Sequence, residues 1–371
     1  MAALLVFDTA FYAAITPLVP YYVHHLAISS AGAGLLVAGY PIGTFVFAIP
    51  GGVVAARAGA RTAVLAGVLV TGAATVTFGW SHLIGVLVLA RVLEGAGGAL
   101  TWSGALAWLN VATPVEQRAE TIGAAFGAAA AGALGGPVLG GLAGLVGPGV
   151  AFSIAGVAAL AMAVVVLRLP APAREGRLRL HQLRAAARHR QFRAGLALIA
   201  LAGVSFGILD VLAPLRLAHL HATALEIAGV FLAAAALETV LAPRVGRVSD
   251  RIGKRRPLQV TLAAGTVLSL LTAVVAPAAV LAVVVVLSAP GFGLLFTPAT
   301  ALVADGADSA ELSQGMAAAA LNILWAVGAA AGAAGAGVLR DVSGDLLPFG
   351  LLSGSCFIAL LAATVPARET R

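Results

Sequence analysis

Five ionisable side chains, Asp8, Arg91, Glu94, Asp210 and Glu238, fall inside long apolar runs of this sequence. A carboxylate in such a place can take up and release a proton or hold an organic cation, and an arginine can exchange carboxylate partners. A charged side chain at mid-bilayer costs ~2.5–3.5 kcal/mol on insertion scales. Five of them would cost on the order of 12–18 kcal/mol, more than a typical domain's stability, so they require partners or a water-filled cavity. Arg91 and Glu94 are three residues apart and share one helix face. They read either as a neutralising internal pair or as a switchable one. Asp8 lies ~9 Å from the start of its helix, so a snorkelling carboxylate competes with a buried one. Asp210 has Arg216 nearby as a local partner, whereas Glu238 has none, which makes Glu238 a candidate proton site. Tyr12, Tyr40, Trp102, Asn322 and Trp325 are candidates for a cavity wall, with Trp108 beside them, and ordinary packing is the competing reading for each. His24-His25 and His219/His221 read as interfacial residues, and no metal site is expected.

The elements that must position these groups follow from composition. Charged residues make up 10 % of the 371 positions and hydrophobic ones 61 %, with a mean hydropathy of +1.03. A soluble domain needs roughly 25 % charged residues to cover its surface, so lipid must solvate much of this chain. A spanning helix takes ~20 apolar residues, and breaks at Gly, Pro or charge predict twelve. They lie at about 2–26, 31–55, 62–80, 83–109, 117–146 and 149–169, then 194–219, 225–248, 256–276, 279–304, 312–338 and 345–366. The expected organisation is a six-helix bundle over 1–169, a basic linker over 170–193 and a second six-helix bundle over 194–371. The linker carries Arg174, Arg177, Arg179, Arg184, Arg188, Arg190 and Arg193, as a cytoplasmic segment attracted to anionic lipid would.

Orientation is expected from the bias of Arg and Lys toward cytoplasmic loops. With the N-terminus inside, the cytoplasmic side receives Arg57, Arg61, Arg118, the linker, Arg244 to Arg256, Arg368 and Arg371, and the outside keeps Arg216 and Arg340. A multi-pass protein of the cell (inner) membrane with both termini cytoplasmic is the expectation. The chain begins in an apolar stretch without a basic n-region, so no cleavable signal peptide is expected. The net charge of +7 is explained by this distribution, and no nucleic-acid partner is expected. The single cysteine, Cys356, cannot form an internal disulfide.

The two halves repeat one another. The loop after the second helix of the second half runs Gly246-Arg-Val-Ser-Asp250-Arg251-Ile-Gly253-Lys254-Arg255, and its counterpart runs Gly52-Val-Val-Ala-Ala56-Arg57-Ala-Gly59-Ala-Arg61. Arg57 and Arg251 are 194 residues apart. Parallel six-helix repeats with a site between them are a transporter architecture. On these residues the chain resembles the major facilitator superfamily, whose signature loop is Gly-x-x-x-Asp-Arg-x-Gly-Arg/Lys-Arg. The resemblance implies that the carboxylate and arginines gate the cytoplasmic side, and Ala56, where the family carries Asp, weakens that role in the first copy. In the fifth helix Gly123, Gly132, Gly136, Pro137, Gly140 and Gly141 fit the antiporter motif of drug-exporting facilitators at every position. Close packing of a small-residue face is the companion reading, and Pro137 favours a bend. Arg91-Val-Leu-Glu94-Gly95 is similar to the family's Arg-x-x-Gln-Gly, and Asp8 with Pro17, Pro20 and Tyr22 resembles the drug and vesicular amine antiporter branch.

There is no Gly-x-x-x-x-Gly-Lys-Ser/Thr loop for nucleotide, no His-Glu-x-x-His, no cysteine pair and no Gly-x-Ser-x-Gly. Neither an ATP motor, an enzyme activity nor a cofactor is expected. An ion gradient remains, and 100 mV supplies ~2.3 kcal/mol per charge, enough for roughly fifty-fold accumulation. The expectation is an all-α membrane protein of twelve helices acting as a monomeric, proton-coupled antiporter that exports a small amphipathic compound. Efflux of sugars or other metabolites is the alternative, and a non-transporting receptor or scaffold comes from another class.

Overall fold

The computed structural model describes residues 1–114, 117–171, 185–310, 312 and 314–364, apart from the side chains of residues 118–120, 122, 123, 126, 130, 250, 314 and 315. Arg174, Arg177, Arg179, Arg184, Arg368 and Arg371 therefore lie outside the described residues, and of Arg118, Gly123 and Asp250 only the backbone is described. Every regular element among those described is a helix, and twelve are long and apolar enough to cross a membrane. They are α1 (Ala2–Leu26) and α10 (Ala278–Asp308), together with α2 (Ser30–Ala58), α3 (Ala60–Trp80), α4 (Ile84–Ala112), α5 (Arg118–Val146), α6 (Pro148–Arg168), α7 (Arg190–His219), α8 (Ala224–Ile252), α9 (Arg255–Val274), α11 (Gln314–Ser343) and α12 (Leu346–Thr364).

Two of the twelve are broken, which hydropathy alone does not reveal. In α1 the helix ends at Ala14, a 3₁₀ turn covers Thr16–Leu18, and the helix resumes at Val19. Pro17 and Pro20 supply the reason, since each lacks the N–H that an i→i−4 bond needs. In α10 the run Pro290-Gly291-Phe292-Gly293 ends one helix, and Phe296 opens the next. The seventh helix also starts earlier than the sequence suggests, at Arg190 rather than residue 194.

The fold consists of two pseudo-symmetric six-helix bundles, and the repeat is visible down to single backbone angles. Gly59 (φ 101°) and Gly253 (φ 83°), 194 residues apart, turn α2 into α3 and α8 into α9. Ala27 (φ 48°) and His221 (φ 67°), again 194 apart, sit in the left-handed region before α2 and α8. The N-caps that follow are also paired, Ser29 for α2 and Thr223 for α8. Packing repeats as well: α1 on α5, α2 on α4 and α3 on α6 in the first half match α7 on α11, α8 on α10 and α9 on α12 in the second. The outside of the assembly presents large apolar side chains such as Phe45, Ile154, Val157, Val260, Val267 and Ile358. Lipid can solvate such a surface, because a helix pairs most of its backbone groups internally.

The bundles meet through α2 against α11 and α5 against α8. Here glycine is required by close approach: a Cβ on Gly34 of α2 would lie 2.5 Å from the Ala333 carbonyl oxygen, and one on Gly141 of α5 would lie 2.9 Å from the Ala228 Cβ. These contacts sit toward the face opposite the chain termini. At the terminal face the turns between α2 and α3 and between α8 and α9 are tied within their own bundles. Arg61 donates to the Leu167 carbonyl at the end of α6, and Arg255, its counterpart 194 residues on, donates to Ala363 and Thr364 at the end of α12. Each arginine caps the C-terminus of the corresponding helix, where unpaired carbonyls carry partial negative charge.

Candidate functional site

The break in α1 places a polar cluster where the two bundles meet. Asp8 is 3 % exposed, and its Oδ2 accepts hydrogen bonds from the Tyr40 hydroxyl of α2 at 2.8 Å and from the Trp102 indole of α4 at 3.0 Å. Its other oxygen, Oδ1, is buried and accepts no hydrogen bond. Asp8 is thus a held, buried carboxylate and not a snorkelling one. Gly98 makes the room: a Cβ there would lie 2.6 Å from the Tyr40 hydroxyl and 2.7 Å from Asp8 Oδ1.

Arg91 and Glu94 form a buried ion pair of 2.7 Å, and Thr75 of α3 donates to the other Glu94 oxygen at 3.0 Å. The guanidinium has further partners. It donates to the Phe11 and Tyr12 carbonyls of α1, each at 3.3 Å, and lies 5.3 Å from the centre of the Tyr40 ring. The pair is therefore also the strut that fixes α1 just before its break. Desolvating two charges is costly unless the remaining donors and acceptors are satisfied, and these carbonyl and hydroxyl partners satisfy most of them.

One side chain carries the cluster across to the second bundle. The Tyr12 hydroxyl donates to Asp210 Oδ2 of α7 at 3.0 Å, while its ring lies 5.1 Å from that of Tyr40 and 5.2 Å from that of Trp325 of α11. Asp210 does not pair with Arg216. That arginine instead reaches Asp345 at 3.4 Å and the Ala273 and Val275 carbonyls at the end of α9. The repeat relation shows how unequal the halves are here, since the α7 counterparts of Tyr12 and Thr16 are Phe206 and Asp210.

Other residues singled out by sequence lie elsewhere. Glu238 is half-buried on α8, apart from the cluster, and has no hydrogen-bond or ion-pair partner among the described residues; it abuts Gly293 at the break in α10. Trp108 packs in a separate core with Leu4, Ala55 and Val64. Asn322 is half-buried on α11, one turn before Trp325. The glycines of α5 hold α1: Cβ atoms would lie 2.9 Å from the Val6 Cα at Gly132, 2.9 Å from the Ala10 oxygen at Gly136 and 2.6 Å from Pro17 at Gly140. In the turn between α8 and α9, Lys254 pairs with Asp305 of α10 at 2.5 Å, inside its own bundle. Gly52 and Gly246 are half-buried, and Arg57 and Arg251 are exposed.

A family profile described as Major Facilitator Superfamily matches residues 1–333. The chain belongs to that superfamily. Among curated relatives, this facilitator is 34 % identical over 96 residues to the MFS-type transporter ppzB of Metarhizium rileyi, covering 26 % of this chain and 20 % of that protein. It is 26 % identical over 159 residues to the quinolone resistance protein NorA of Staphylococcus aureus, covering 42 % of this chain and 41 % of NorA. The chain thus spans less than half the length of the curated relatives it matches. Among solved structures, a bacterial homologue of the human lysosomal transporter Spinster, inward-facing and unoccupied, superposes with a TM-score of 0.77 at 16 % identity over 98 % of this chain and 93 % of the other. The nucleoside transporter NupG gives 0.76 at 14 % identity over 98 % and 96 %. At such identities the superpositions show a shared fold.

In this facilitator two supporting residues of the cluster and two partners elsewhere were not singled out by the sequence. Thr75 orients Glu94, and Gly98 admits Asp8; Asp305 and Asp345 receive Lys254 and Arg216. Only Gly98 carried a sequence signal, through its place in the glycine run after Glu94.

Proposed function

We propose that this facilitator is a proton-coupled antiporter that exports a small amphipathic, cationic compound by alternating access. The observation that carries the proposal is the pair of carboxylates on opposite bundles, Asp8 and Asp210, joined through Tyr40 and Tyr12. Each accepts a tyrosine hydroxyl bond as a carboxylate, so protonation at either changes the bonding at the boundary where the halves move. Arg91, placed over Tyr40 and paired with Glu94, gives the charge a second place to settle when Asp8 is neutralised. The aromatic rings of Tyr12, Tyr40 and Trp325 offer faces that attract an organic cation. The glycine-rich α5 supports exchange through its resemblance to the antiporter motif, and NorA, named for quinolone resistance, supports efflux.

In the same reading the terminal face is cytoplasmic, as the arginine distribution favours, and the arrangement closed at the opposite face is the inward-facing one. Proteoliposomes with an imposed pH gradient and ethidium as the probe test the coupling. Ethidium-dependent proton flux is expected from the parent protein and not from Asp8→Asn or Asp210→Asn. Undiminished flux with both carboxylates neutralised would sink the scheme. Export of an uncharged metabolite is the second reading, favoured by the way Tyr40 and Trp102 occupy Asp8 Oδ2. Competition by amines against sugars and nucleosides in the same vesicles separates the two.

A further inference from the structure

The start of α2 is capped by the other bundle. A helix leaves its first four N–H groups without intrahelical partners. In α2 the Ser29 side chain accepts from one of them, Gly32, at 3.3 Å, and the Ser29 carbonyl accepts the first helical bond, from Ala33 at 3.1 Å. Two more belong to Ser30 and Ala31, and both donate to Asp341 near the end of α11, at 3.0 Å to Oδ1 and 2.9 Å to Oδ2. One carboxylate from the second bundle therefore completes the first turn of a helix in the first.

The repeat shows that this arrangement is specific to α2. At the equivalent start of α8, Thr223 and Glu226 form a closed capping box, with the Glu226 carboxylate accepting the Thr223 N–H at 2.7 Å. The residue of α2 that corresponds to Glu226, 194 positions earlier, is Gly32. Lacking a carboxylate of its own, this helix start takes one from across the boundary. Small residues make that geometrically available: a Cβ on Gly337, one turn before Asp341, would lie 3.0 Å from the Ala31 Cα. The neighbouring cations do not compete for Asp341, because Arg340 and Arg216 both pair with Asp345, at 3.0 and 3.4 Å.

We propose that Asp341 is the latch that holds the halves together at the face opposite the termini, by capping the N-terminus of α2 in trans. The bond exists only while α2 and α11 touch at this end, so it favours that state over the one in which the end is open. A ligand or contact shifts a conformational equilibrium only by its differential interaction with the two states, and this contact is wholly differential. An anionic group at an exposed helix N-terminus is worth about 1 kcal/mol at most, because water replaces part of it when the end opens. The open-to-closed ratio should therefore rise roughly fivefold when the latch is removed. The inference is independent of cargo and driving ion.

The test uses the full chain in nanodiscs with Cys356, its single cysteine, replaced by alanine. Spin labels at Leu83→Cys and Leu346→Cys, exposed positions of the two bundles at this face, report their separation by pulsed electron resonance. Asp341→Ala should raise the ratio of long- to short-distance populations about fivefold, and Ser30→Pro should raise it by a smaller factor in the same direction. Ser30→Pro removes one donor at the first helical position, where proline is favoured, so α2 itself survives. The double variant should shift no further than Asp341→Ala alone, because both changes break one contact. Should Asp341→Ala fail to fold, Asp341→Asn, which keeps one acceptor, is expected to give a smaller shift in the same direction. An unchanged distribution in any of these single variants, or effects that multiply in the double variant, overturns the latch.

Discussion

The Tyr12 hydroxyl of α1 donates to Asp210 Oδ2 of α7 at 3.0 Å, across 198 residues of sequence and across the boundary between the two bundles. Because the tyrosine ring also packs on Tyr40 and Trp325, this hydroxyl is where the Asp8 and Asp210 sites become one cluster. A hydrogen bond to a charged group contributes ~1.5–3 kcal/mol, and this one depends on how the bundles lie against each other.

Tyr12→Phe keeps the ring and removes the bond. It should leave the fold intact, shift the equilibrium between the two end states by at least ~10-fold, and lower coupled transport more than ligand binding. Distance measurements between labelled bundles, alongside binding of a fluorescent cation to the purified protein, check both parts. Unchanged transport would show that the two carboxylates act separately.

Glu94→Leu leaves Arg91 in a buried site with only the Phe11 and Tyr12 carbonyls as strong acceptors. Removing one partner of a buried ion pair costs ~3–5 kcal/mol, so a large fall in thermal stability in detergent is expected. Replacing both residues, as in the double variant Arg91→Met with Glu94→Leu, should recover much of that stability while transport stays lost. A stable Glu94→Leu protein would mean that the pair does not hold α1.

Gly98→Ala puts a methyl group against both Tyr40 and Asp8 Oδ1, whereas a Cβ on Gly85 of the same helix meets nothing within 4 Å. Transport should fall more than ~10-fold in Gly98→Ala, the size of losing one hydrogen bond to a charged group. It should be unaffected in Gly85→Ala. Helix content by circular dichroism should be alike in the two, and equal activities would remove Gly98 from the site.

The orientation is tested in intact cells with a membrane-impermeant maleimide and Cys356 replaced by alanine. Leu83→Cys, 69 % exposed at the face opposite the termini, should label from outside, and Arg251→Cys should label only after the cells are opened. The reverse pattern would invert the proposed topology.

The sequence by itself determined the twelve spans, the six-plus-six repeat and the superfamily. Those features are written locally: apolar length fixes a span, and Gly59 and Gly253 fix equivalent turns because glycine readily adopts a positive φ. The ionisable residues were also legible, since each interrupts an apolar run. Their partners were not. Asp210 had Arg216 six residues away and chose Tyr12, while Arg216 reached Asp345 across 129 residues. Asp341, the acceptor for the start of α2, lies 311 residues from Ser30. A one-dimensional pattern encodes which face of a helix is apolar, but which polar atoms meet depends on how two bundles are set against each other. That placement is decided by tertiary packing, where glycines on α2, α5 and α11 let backbones approach closely enough for such bonds to form.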